Sequence, residues 1–174
     1  MQAWRRGQDA YVTCDTVVGG GNLTKDDLER IGEITGRGPL RSLFLFVHHL
    51  TWIDKDGAAR NEQRDLTNHI EAGYAMHGTF HGQVLPFLED LGVPVFIVAG
   101  DVGAGSLAVH SYEELGPGVH ALTSGMGEHP DVGTYLSVEV SPLGVQFSVR
   151  QLGSQLRQPA GVFSVPSERF LFER

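Results

Sequence analysis

Two adjacent histidines close the apolar run "SLFLFVHHLTW", which spans Ser42 to Trp52. Six residues of strand type lead straight into His48 and His49. One imidazole at a strand end is ordinary. Two in succession imply either a polar loop or a place where something is bound, since imidazole ligates metals and exchanges protons near neutral pH. A second apolar run, "GVPVFIVAGD", ends on Asp101 and opens into the glycine-rich "GDVGAGS". Loops at the C-terminal ends of buried parallel strands are where α/β proteins place ligands, so the two run ends point to one site.

The remaining polar clusters carry less. His77 and His81 are four apart and share a helix face, with His69 nearby, but Gly78 intervenes and no Cys or Glu completes a ligand set. They are expected to be surface or packing histidines. Glu128, His129 and Asp131 in "SGMGEHPDVG" read first as turn formers between strands. The glycine spacing in "GDVGAG" matches neither a dinucleotide fingerprint nor a phosphate loop. Ser106 in "GAGSL" lacks the Gly-x-Ser-x-Gly elbow and leaves a serine hydrolase as a weak alternative. Cys14 is expected to be a small buried strand residue, and as a single cysteine it forms no intrachain disulfide.

These residues need elements to hold them. "AYVTCDT" predicts a short strand, broken by the glycines of "VVGGGN". "LTKDDLERIGEITG" predicts a helix capped by Thr24, with Asp26 and Asp27 in its first turn and Gly36 at its C-terminal stop. "SLFLFV" and "VPVFIV" lack polar alternation and are expected to be buried on both faces. Residues 65–91 read as helical with glycine interruptions, Pro86 opening or kinking a last turn. "GVHALTSG", "TYLSVEVS" and "VQFSVRQL" read as strands, the last two joined by the turn "SPLG". The closing "RFLFER" is an edge strand or a tail.

The 174 residues suffice for one domain of ordinary size, and 41% apolar content supports a packed core. A formal charge of −8 argues against nucleic acid or an anionic membrane as a partner. No apolar run approaches the ~20 residues of a membrane span. The N-terminus lacks the apolar stretch of a signal peptide. The default expectation is a cytoplasmic protein, or a secreted one if a leader precedes the chain.

The order of "YVTCDTVVGGGNLTKDDLERIGEI", "LFLFVHHLTW", "VLPFLEDLGVPVFIVAGD", "VHALTSGMG" and "TYLSVEVSPLGVQFSVRQL" resembles the C-terminal half of calcineurin-like metallophosphoesterases. The resemblance runs from about Tyr11 to Leu152, and the succession carries it rather than any sharp motif. It implies an α/β fold, half of a four-layer α/β/β/α sandwich, with a mixed sheet and antiparallel C-terminal strands. It implies a partial domain over residues 1–152 and a tail or edge strand over 153–174. It implies metal-dependent hydrolysis of a small phosphate ester with Mn, Fe or Zn. His48 matches a metal ligand, and His49 the substrate-facing or supporting position after it. Asp101 falls where the first His of the family's Gly-His-x-His stands, and Gly103 where the second stands.

The departures are substantial. Glycine offers no ligand, and the family's early Asp-x-His, Gly-Asp-x-x-Asp and Gly-Asn-His-Glu are absent; "GGGNL" holds Gly21 and Asn22 with no histidine after them. A two-metal mechanism needs several ligands to hold its ions ~3.5–4 Å apart. The chain is therefore expected to be incomplete or inactive alone, with a non-catalytic binding or assembly module as the alternative. A sheet cut through its middle exposes an edge, to be covered by a missing N-terminal half or by a second copy in a homo-oligomer.

Overall fold

A computed structural model describes residues 1–17, 21–53, 79–100, 110–125, 134–151 and 169–173. The elements are β1 (Gln2–Arg6), β2 (Asp9–Thr13), α1 (Lys25–Thr35), β3 (Ser42–Val47), a π-helical turn Phe80–Val84 running into α2 (Leu85–Glu89), β4 (Val95–Ala99), β5 (His110–Gly116), β6 (Val119–Ser124), β7 (Thr134–Val140), β8 (Gly144–Gln151) and β9 (Arg169–Glu173). They form a mixed six-stranded sheet of order β1-β2-β3-β4-β6-β5 and a three-stranded antiparallel sheet of order β7-β8-β9. Strands β2, β3, β4 and β6 are parallel, whereas β1 and β5 are antiparallel edges.

The absence of polar alternation in β3 and β4 has a direct structural cause. Leu43, Leu45, Val47, Val95, Ile97 and Ala99 face α1 and α2, packing with Ile31, Ile34, Phe80, Val84 and Leu88. Phe44 and Phe96 face the other way, against Val145 and Phe147 of β8. The described residues therefore build helices, large sheet and small sheet, in that order.

The second face carries a row of rings that crosses the large sheet. Trp4, Tyr11, Phe44, Phe96 and His120 are successive cross-strand partners on β1, β2, β3, β4 and β6. Their centroids lie 5.5, 4.9, 5.2 and 5.4 Å apart, with interplanar angles of 11°, 8°, 24° and 22°. Tyr112 on β5 continues the row at 6.0 Å from His120. Strand spacing of ~4.8 Å places in-register aromatic side chains at stacking distance.

Helix α1 starts as expected. Thr24 Oγ1 accepts the N–H of Asp27 at 3.2 Å, and Asp27 Oδ2 accepts the N–H of Thr24 at 2.9 Å, a reciprocal capping box. Its stop also falls where expected, with Gly36 as the C-cap. Gly36 keeps a right-handed φ of −74°, and the left-handed residue is Gly38, φ 125°, before Pro39. The helix expected over 65–91 is found over Phe80–Glu89, opening with a π turn, with Pro86 in the first turn of α2; residues 65–78 lie outside the described residues.

Two strands were not expected. "QAWRR" has little β propensity by itself, but a two-residue turn with Gly7 at φ 62° folds it onto β2. "HSYEELG" folds onto β6 across Pro117 and Gly118, the latter at φ 72°. The outer edge of β2 is thus covered by β1, which becomes the edge of the sheet. "SPLG" forms the expected hairpin turn, with paired bonds between Ser141 and Gly144. The C-terminal "RFLFE" is an edge strand on β8. Among the described residues no helix is long and apolar enough to cross a membrane.

Candidate functional site

Strand β3 delivers its two histidines to the end of the sheet in opposite senses. His48 is exposed, whereas His49 is buried at 7% exposure. Their rings meet edge to face at 4.8 Å. Alternation explains the difference, because one side chain turns outward where its neighbour turns inward.

His49 is held from β2's side of the sheet. Thr16 Oγ1 lies 2.8 Å from His49 Nδ1, and the same oxygen accepts the backbone N–H of His49 at 3.3 Å. Thr16 is fully buried. The hydroxyl can also accept from a protonated Nδ1, so the ring's tautomer sets which of the two donates in this contact. In either tautomer Thr16 engages Nδ1 and orients the ring.

The loop that carries Thr16 returns to α1 through a tight turn in which Gly21, at φ 92°, donates to the Thr16 carbonyl at 2.7 Å. Asn22 follows. Its side chain is 2% exposed, and neither its amide nitrogen nor its oxygen has a hydrogen-bond partner among the described residues. A buried carboxamide without partners costs about 1–3 kcal/mol. Such a group at a strand-end loop is a natural acceptor and donor for a bound molecule. Sequence inspection passed over Asn22 because no histidine follows it; its burial arises from the fold.

Cys14 also sits at this end, 8% exposed. Burial, and then the negative charge of Asp27, push its thiol up to about 12. It is a neutral packing residue, as expected, and no nucleophile. His81 stacks edge-on against Phe80 at 5.3 Å and shares a 3.0 Å hydrogen bond with the carbonyl of Trp52. It fastens the loop after β3 to the π turn, a packing role.

The structure thus brings together His49, Thr16 and His48. Among the described residues no group of three or more His, Cys, Asp or Glu side chains is placed to hold a metal ion. Asp101, Gly103, Ser106, His69, His77, Glu128, His129 and Asp131 lie outside the described residues. His120 is the second residue of β6. Burial lowers its pKa from the usual imidazole value, against a weaker opposing pull from Glu114.

A cavity of about 420 Å³ opens elsewhere, beside the N-terminal ends of β2 and β3, lined among others by Arg6, Asp9, Tyr11 and Arg41. Its polar groups largely answer one another. Asp9, 2% exposed, accepts from Arg41 Nε at 3.0 Å, from Arg41 Nη2, and from Ser42 Oγ at 2.6 Å. The strand-end histidines, anchored by Thr16 in the loop that also carries the unsatisfied Asn22 amide, are the better candidate site.

No family model matches the chain, and a search of curated proteins finds no match.

Proposed function

We propose that the chain is a partial metallophosphoesterase-type hydrolase domain, incomplete for turnover by itself, which presents His48 and His49 to a small phosphate ester. The observation that carries this reading is the Thr16-anchored His49 at the C-terminal end of two adjacent parallel strands, beside the exposed His48. In this reading the helices, large sheet and small sheet belong to a four-layer α/β/β/α sandwich. His49 faces a phosphoryl oxygen, and Thr16, in contact with Nδ1, fixes the direction of its ring. His48, exposed at the surface, is the group that would face a Mn, Fe or Zn ion. Among the described residues nothing completes its ligand set. Asp101 remains the second ligand of the proposal.

The test uses the full chain with bis-p-nitrophenyl phosphate and each of the three metals, together with elemental analysis and histidine NMR during a titration with inorganic phosphate. The expected result is no turnover, with phosphate-dependent shifts of the His48 and His49 ring signals that Thr16→Val weakens. Turnover abolished by His48→Ala would show a complete site and overturn the claim of incompleteness. Unmoved histidine signals would overturn phosphate handling altogether. That last outcome would favour a binding or assembly module.

A further inference from the structure

The two edges of the six-stranded sheet are complementary to each other. One edge, β1, reads Trp4-Arg5-Arg6; the other, β5, reads Tyr112-Glu113-Glu114. Both strands are antiparallel to the four strands between them, so they run in the same direction. Two copies placed side by side with their sheets in line would bring β1 of one beside β5 of the next as a parallel pair.

Faces match in that arrangement. Trp4 and Arg6 lie on the face that carries the row of rings, as do Tyr112 and Glu114, which share it with His120. Arg5 and Glu113 lie on the other face by alternation. Aligning Trp4 with Tyr112 therefore aligns Arg5 with Glu113 and Arg6 with Glu114, each pair on one face. Arg6, Glu113 and Glu114 are exposed, and Trp4 is 45% exposed.

The backbone agrees with the same register. The Gln8 carbonyl and the Cys14 N–H bond to the β3 side, so the odd-numbered residues of β2 turn to β1. Their partners Gln2, Trp4 and Arg6 are bonded inward, and Ala3 and Arg5 turn their N–H and C=O outward. At the far edge, the Gly118 carbonyl accepts from Val95, so even-numbered residues of β6 face β4 and odd-numbered ones face β5. Ser111 and Glu113 are therefore bonded inward, and Tyr112 and Glu114 turn outward. A parallel ladder needs this offset, because each outward residue bonds to the two residues flanking its opposite number.

We propose that this chain associates with further copies of itself head to tail, β1 of one copy adding to β5 of the next in parallel, with Trp4 opposite Tyr112, Arg5 opposite Glu113 and Arg6 opposite Glu114. The contact is heterologous, so it builds open chains or a closed ring rather than a two-fold dimer. It is independent of the reading of His48 and His49.

Sedimentation velocity of the full chain, over a concentration series at low and high salt, tests it. Arg5 already donates to the Gly38 and Pro39 carbonyls, so the informative variants are Arg6→Glu and Glu114→Arg, each checked for folding by circular dichroism. Wild type is expected to associate at low salt and to weaken as salt rises. Each variant alone is expected to associate at least about tenfold more weakly. An equimolar mixture of the two is expected to recover association, because Arg6 of one then meets Glu114 of the other, and the reversed residues pair in turn. A wild type that stays monomeric, a folded variant that still associates, or a mixture that fails to recover would each overturn the proposal. A two-fold β1–β1 or β5–β5 contact would show as association in one variant alone.

Discussion

The parallel strands of this protein end in two differently finished ways. At their N-terminal ends a buried carboxylate, Asp9, is bonded by both Arg41 and Ser42. At their C-terminal ends one polar side chain, Thr16, anchors another, His49, while Asn22 is buried with no partner among the described residues. The first arrangement is closed: every group in it serves another group of the same fold. The second retains polar capacity that the described fold does not use. Stability needs the former, and binding draws on the latter.

The largest test of this contrast is Asp9→Ala. It leaves the Arg41 guanidinium and the Ser42 hydroxyl without their acceptor. Breaking such a pair costs about 3 kcal/mol, the low end of the buried range because Arg41 is 32% exposed. Urea denaturation should show the midpoint falling with an unchanged slope. A loss below about 0.5 kcal/mol would place Asp9 among ordinary surface charges.

Thr16→Val keeps the shape and removes the hydroxyl at the other end. The expected loss is smaller, about 1–1.5 kcal/mol for one hydrogen bond. NMR of the His49 ring nitrogens should show the Nδ1 signal shifting. An unshifted signal would mean that something other than Thr16 holds the ring.

Asn22→Leu sharpens the contrast by its sign. Removing an unsatisfied buried amide should stabilise the ligand-free chain by about 1 kcal/mol, if the added bulk is accommodated. Thermal unfolding decides it. Destabilisation beyond about 1 kcal/mol would show that the amide is bonded in solution and that this end is closed too.

The smallest effect concerns pH. The folded pKa of His120 lies below its ordinary value of 6.5, because burial opposes charging the ring. Between the two values the unfolded chain binds more protons than the folded one. The stability involved is present above 6.5 and is lost as pH falls through the lower folded value. His120→Phe keeps a stacked ring on Phe96 and should flatten this part of the stability–pH curve. An unchanged slope would assign the dependence to other groups.

Much of the fold was legible because its signals are local. The runs "SLFLFV" and "VPVFIV" lack polar alternation, and only burial on both faces stabilises such strands. Thr24 and Asp27 are spaced to bond each other's backbone, so α1 declared its own start. Strands β1 and β5 were not legible. "QAWRR" and "HSYEELG" carry charges where a buried strand would not, and each is a strand because a short turn folds it onto an apolar neighbour.

The site divides along the same line. The sequence by itself determined that two imidazoles stand at the end of a buried strand, since that follows from an apolar run and the residues after it. Only the tertiary structure decided which of them turns inward, that Thr16 holds it from 33 positions away, and that Asn22 loses its water without gaining a partner. The physical reason is that pairing and desolvation depend on what lies across the sheet, and a linear pattern records only what lies along the chain.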